Sequence, residues 1–95
     1  MYLRVTTTQA DPAKLAALEN AMGTVRDQIK KVSGLIDCYT AWTGNGHGVT
    51  IAVYESQEMA ERATDQIRAV WGSIGSMLAD PPSTSVYENV IDLKA

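Results

Sequence analysis

From Leu35 to Ser56 the chain reads LIDCYTAWTGNGHGVTIAVYES: two β-type runs, Leu35 to Trp42 and Gly48 to Tyr54, around Thr43-Gly44-Asn45-Gly46-His47. The runs are rich in Val, Ile, Thr and Tyr, residues suited to a pleated, half-buried surface. The segment between them is full of residues that tolerate positive φ, so the pair is predicted to form an antiparallel hairpin.

Outward from the hairpin, each side repeats a helix and a strand. On the N-terminal side, Leu15, Leu18, Met22, Val25, Ile29 and Val32 recur at steps of three and four, which predicts an amphipathic helix from Pro12 to Val32. Lys14, Glu19, Arg26, Asp27 and Lys30 occupy its opposite face. Asp11 and Pro12 suit its start, and Gly34 suits its end. On the C-terminal side, Ser56 is the expected N-cap of a second helix, with Glu55 and Glu58 near the positive end of its dipole. Its stripe is Met59, Ala63, Ile67, Val70, Trp71, Ile74 and Leu78, with Gly72 and Gly75 loosening the last turns and Asp80-Pro81-Pro82 stopping it. Tyr2 to Thr8 and Ser85 to Leu93 supply the outer strands.

The order is therefore βαββαβ. Right-handed crossovers on each half give an α+β, ferredoxin-like domain: a four-stranded antiparallel sheet with both helices on one face. Two helices cover only that face. In the third strand neither Val49, Ile51 and Val53 nor Thr50, Ala52 and Tyr54 carry charge, and the last strand offers Val86 and Val90 on one side and Tyr87, Ile91 and Leu93 on the other. A sheet semi-apolar on both faces calls for a second layer, and a homodimer with two-fold symmetry is expected to supply it.

Composition sets the outer limits. The chain has 95 residues, 45% hydrophobic and 20% charged, which is room for one domain, residues 1–95, and one core. A net charge of −3, with no basic run longer than Lys30-Lys31, argues against nucleic acid as a partner. No apolar stretch is long enough to span a membrane, and the N-terminus enters a strand without a secretory pattern, so the expectation is a cytoplasmic protein. The single cysteine, Cys38, cannot form an intrachain disulfide.

Two local runs add a family resemblance. Val49-Thr50-Ile51-Ala52-Val53-Tyr54-Glu55-Ser56 is similar to the strand-to-helix junction of the antibiotic-biosynthesis-monooxygenase-like proteins, where an aromatic residue, an acid and a serine commonly close the third strand. Val32-Ser33-Gly34-Leu35 resembles their turn into the second strand, with Ser33 where proline is usual. The resemblance implies a dimeric α/β barrel, two sheets face to face, with a small cavity between each sheet and its helices. It also implies oxidation of a polycyclic or quinol-like substrate by molecular oxygen with no bound cofactor, an activity that only some relatives have. A haem-degrading branch uses an Asn near the end of the first strand and a Trp and a His on the second helix. Here the first strand ends Thr6-Thr7-Thr8 and the second helix has Trp71 but no histidine, which departs from that branch.

Few residues carry chemistry. His47, the only histidine, is either an exposed hairpin residue or a proton acceptor at the cavity mouth, and it lacks the second ligand or orienting partner of a triad or metal site. Arg4, a charge inside the first strand, either pairs with Asp37 or Glu88 or stabilises an anionic substrate. Trp71 is core packing or a cavity wall on which a flat ligand stacks. Trp42 is a dimer contact or a pocket lining, and Tyr39 precedes it on the opposite face. Cys38, grouped with Ile36, Thr40 and Trp42, reads as a small buried hydrophobe. Glu58, Glu61 and Asp65 lie on a solvated helix face without a companion histidine, so no metal site is expected. Two functions remain: an oxygenase-type enzyme binding a small aromatic or quinol-like molecule, with Trp71, Trp42 and Tyr39 shaping the site and His47 or Arg4 handling charge; or a non-catalytic homodimeric binding or structural protein.

Overall fold

Four strands, β1 (Tyr2–Gln9), β2 (Leu35–Trp42), β3 (His47–Tyr54) and β4 (Ser83–Tyr87), form one antiparallel sheet in the order β2-β3-β1-β4. This computed structural model describes all 95 residues, Met1–Ala95. The helices are α1 (Leu15–Ile29), α2 (Gln57–Arg62) and α3 (Thr64–Ser73), with 3-10 turns at Pro12–Lys14 and Gly75–Met77. The chain is thus an α+β domain of ferredoxin-like topology, with its helices on one face of the sheet.

The hairpin register follows from its turn. Gly46 has φ +89° and donates to Thr43 O, while Thr43 N donates to His47 O. Trp42 consequently faces Gly48, and Thr40 faces Thr50. At the other end of β2 a bulge between Leu35 and Asp37 breaks the alternation. Leu35 therefore packs inward beside the buried Tyr54, while Ile36 is displaced and exposed. Cys38 accordingly shares its face with Leu35, Thr40 and Trp42, and the expected grouping with Ile36 is corrected.

The helices differ from the expected pair in an instructive way. Asp11 accepts from Ala13 N at 3.0 Å, and Pro12 follows it, but this start is a 3-10 turn that becomes α-helical only at Leu15. Ser56 caps α2 by accepting from Met59 N at 3.2 Å. The expected second helix is interrupted at Ala63. There the Thr64 hydroxyl donates to Ala60 O at 3.4 Å, competing with the backbone ladder as helical threonines do. Ala60 and Ala63 are buried, so the interruption also brings backbone close to the sheet.

The last strand is shorter than the Ser85 to Leu93 run predicted for it. β1 begins at Tyr2 and pairs Leu3 with Tyr87, so almost nothing remains for residues after Tyr87 to pair with. Ile91 and Leu93 are 79% and 92% exposed.

The buried core is divided. One cluster joins Tyr2, Val32, Ala52, Tyr54, Ala60 and Ala63. A second joins Ala10, Leu18 and Ile74. The latter end is tied by Ala10 N to Gly46 O at 2.8 Å, Asp11 N to Met77 O at 3.0 Å and Ala79 N to Gln9 O at 2.7 Å. No helix is long and apolar enough to cross a membrane.

Candidate functional site

Alternation along the strands decides which side chains can meet the helices. Arg4 and Thr6 of β1, Thr50, Ala52 and Tyr54 of β3, and Cys38, Thr40 and Trp42 of β2 all face them. Above these residues α1 contributes Met22, Val25 and Ile29, α3 contributes Ile67, Val70 and Trp71, and Ile74 follows at the C-cap of α3. Between the two layers lies a partly open cavity of about 640 Å³, with Glu19 and Arg26 of α1 also on its wall. It occupies the gap between the two core clusters, for its lining includes Ala52 and Tyr54 from one and Ile74 from the other. A gap of this volume suits a small organic molecule and is far larger than the voids of a packed interior.

The roof is apolar, but the floor is not. Thr84, Thr6, Thr50 and Thr40 stand opposite one another across all four strands, forming one row. The Thr6 and Thr84 hydroxyls are 2.9 Å apart and those of Thr40 and Thr50 are 2.8 Å apart. Each pair uses one hydroxyl hydrogen and leaves the other available to a ligand or water. Thr6, Thr40 and Thr50 line the cavity.

Beside this row stands an unneutralised cation. The Arg4 guanidinium lies 5.5 Å from the centre of the Tyr54 ring, and its single hydrogen bond is a long one, 3.4 Å from Nη2 to Ala60 O. The expected partnership with Asp37 or Glu88 is corrected. β3 separates β1 from β2, and Glu88 lies beyond the end of β4. The ion pairs that do form, Glu58–Arg62 and Asp65–Arg68, are exposed and local to the helices, so Arg4 has none.

Tyr54 is fully buried, and its hydroxyl has no hydrogen-bond partner. Such an orphan costs about 1–3 kcal/mol, a penalty that functional sites commonly tolerate. Burial pushes the Tyr54 phenol above its ordinary range, helped by Cys38 and opposed by Arg4. Burial likewise raises the Cys38 thiol. Both groups therefore stay protonated near neutral pH, and Cys38 offers no thiolate nucleophile.

The structure brings Arg4, Trp42 and Trp71 to this cavity, and Tyr39 borders it. Tyr39 pairs with Ile51, lies on the open side of the sheet and is 69% exposed. His47 is not among the lining residues. It is exposed at the start of β3, opposite Gln9, and so gives the cavity no imidazole. Tyr54 and the threonine row were missed as site residues. Their signal was present in part, as polar side chains recurring at inward positions, but only the strand register aligns them. No group of three His, Cys, Asp or Glu side chains converges to hold a metal ion.

A ferredoxin-like sheet with a cavity under its helices is the class these features define. Among solved structures, the chain superposes on a Caulobacter crescentus protein named as an antibiotic biosynthesis monooxygenase with a TM-score of 0.78, at 20% identity over 95% of this chain and 90% of that one. A similarly named Nitrosomonas europaea protein gives 0.76 at 15% identity, covering 96% and 100% of the two chains. A Streptomyces coelicolor monooxygenase in complex with nanaomycin D gives 0.73 at 22% identity, covering 97% and 89%. No protein-family model and no curated protein sequence matches the chain. These likenesses show that the chain has the fold of the antibiotic-biosynthesis-monooxygenase-like structures.

Proposed function

We propose that the protein is a homodimer whose subunits each bind a small planar aromatic, quinol-like molecule between sheet and helices, and that it oxidises this molecule with molecular oxygen without a cofactor. The observation that carries the reading is the cavity of about 640 Å³ that replaces the centre of the core, with Trp42 and Trp71 on its wall. Large flat rings under a largely apolar roof favour stacking of a flat ligand. Such oxidation needs no further reductant. When a CH₂ group between two rings becomes a carbonyl, the substrate loses four electrons, oxygen accepts them, one oxygen atom stays on carbon and the other leaves as water. The protein's part is to hold the deprotonated substrate away from bulk water beside oxygen. The likeness to a monooxygenase holding nanaomycin D supports the choice of ligand class.

A second reading has its own support. Glu19 is the only carboxylate on the cavity wall, and no histidine accompanies it, so the site has little with which to remove a proton. This favours binding of the same ligand class without chemistry.

The test is titration with anthrone, followed by tryptophan fluorescence and by an oxygen electrode. Saturable quenching with oxygen uptake above the uncatalysed rate is the expected result. Quenching without added uptake leaves a binding protein. No quenching refutes the aromatic-ligand reading.

A further inference from the structure

The ligand cavity is a positive island in a negative protein. Its ionised side chains are two arginines, Arg4 and Arg26, against the one carboxylate of Glu19, whereas the whole chain carries −3. Arg26 and Glu19 are exposed, and screening by water weakens what they contribute. Arg4 is half-buried and unpaired, and a guanidinium with five donors spends only one of them on a long contact to Ala60 O. A partly desolvated cation without a counter-ion is unfavourable unless an anion reaches it. Arg4 lies over the ring of Tyr54, whose buried hydroxyl is also without a partner. Two residues further along β1, on the same face, begins the row of Thr6, Thr50 and Thr40, whose paired hydroxyls keep hydrogens to give.

On the reading of the cavity as an aromatic-binding site, we propose that it takes its ligand as an anion: an ionised oxygen on a flat ring, a carboxylate or an enolate, held by Arg4, with hydroxyls of the threonine row donating to further oxygens along the same edge. Arg4 supplies the planar fork that suits such an oxygen. Trp42 and Trp71 hold the ring.

The experiment is isothermal titration calorimetry at neutral pH with two matched pairs. Lawsone, a hydroxynaphthoquinone ionised at that pH, is set against its methyl ether, which has the same ring system and no acidic proton. Naphthoate is set against naphthamide. The anion of at least one pair should bind about tenfold or more tightly than its neutral mate, and the pair that does so distinguishes enolate from carboxylate. Arg4→Met should abolish the preference, so that anion and neutral mate bind alike. Arg4→Lys, which keeps the charge but loses the fork, should retain a part of it.

Anions binding no tighter than their neutral mates would overturn the proposal while the aromatic-ligand reading stands. A preference that survives Arg4→Met would do the same. If none of the four compounds binds, both fall together. The wild-type comparison decides the matter even where a variant fails to fold.

Discussion

Tyr54 and Cys38 give the site a pH signature that can be read without any ligand. Both are acids whose folded forms hold their protons to higher pH than usual because burial disfavours the charged state. In the unfolded chain Cys38 ionises near its ordinary value of 9.0 and Tyr54 near 10.0. Above about 9.0 the unfolded state therefore binds fewer protons than the folded one, so stability falls as pH rises. Below that value the contribution is fully present. Urea midpoints should hold steady from neutral pH to about 9.0 and then decline, and Cys38→Ala and Tyr54→Phe should each flatten part of the decline. A midpoint constant beyond 10.0 would show that neither group is desolvated. Trp71 makes a separate prediction. It is only partly buried and lies on the cavity wall. Trp71→Ala should therefore remove ligand quenching while costing less than the roughly 3–5 kcal/mol of a fully packed tryptophan, as checked by urea unfolding beside a binding titration. The two tryptophans could be picked from the sequence because large aromatics on a helix stripe and a strand end announce themselves. Tyr54 could not, since its importance lies in a missing partner, which only tertiary packing reveals. Arg4 was visible as a charge within a strand. Its isolation was not, because strand order puts Asp37 out of reach and strand length leaves Glu88 outside the sheet.

The hairpin between β2 and β3 holds the threonine row in register, and its two turn glycines are not equivalent. Gly46 sits at φ +89°, and a Cβ there would fall 2.4 Å from the Ala10 carbonyl oxygen, a backbone atom that cannot swing away. Gly44 has no positive φ and nothing within 4 Å of such a Cβ. Gly46→Ala should therefore destabilise by more than the roughly 1–2 kcal/mol of left-handed strain alone, and Gly44→Ala should be close to neutral. Thermal melts of the pair check this, and equal melting temperatures would refute the assignment. At this scale the sequence was most informative where local chemistry decides the outcome. Asp11 and Ser56 cap as their side chains allow, the Gly-Asn-Gly turn forms, and β2 has the predicted bounds, Leu35–Trp42. It was least informative where pairing decides. The alternation after Tyr87 looks like a strand, yet only Tyr2 of β1 lies beyond the last pair to receive it. The break at Ala63 was hidden for a similar reason. It depends on a threonine hydroxyl competing for Ala60 O beneath a closely packed sheet, and the apolar stripe continues through it.

The sheet's other face is where the proposed homodimer can be tested. By register that face carries Leu3 and Val5 of β1, Val49, Ile51 and Val53 of β3, Tyr39 of β2 and Tyr87 of β4, and Asp37 is its only acidic or basic residue apart from His47 at the margin. Tyr39, Ile51 and Tyr87 are 69%, 37% and 51% exposed. The isolated chain exposes 6182 Å², about 800 Å² more than the roughly 5,400 Å² expected of a compact monomer of 10.3 kDa. That excess is about what one partner contributes to an interface of standard size. Pairing two sheets face to face would also stiffen the floor of each cavity, because the strands that carry Arg4 and the threonine row on one side carry the apolar contact residues on the other. Sedimentation equilibrium at micromolar concentration should therefore return twice the chain mass. Ile51→Glu places a charge at the centre of the face, opposite Val5 and Tyr39. It should shift the equilibrium to monomer, since an unpaired carboxylate buried between sheets costs several kcal/mol. A matched substitution on the outer helix face, Gln66→Glu, should leave the mass doubled, because Gln66 is exposed and away from the sheet. If Ile51→Glu remains dimeric while wild type is dimeric, the interface lies elsewhere. The exposed Ile91 and Leu93 beyond β4 would then be the next apolar surface to substitute.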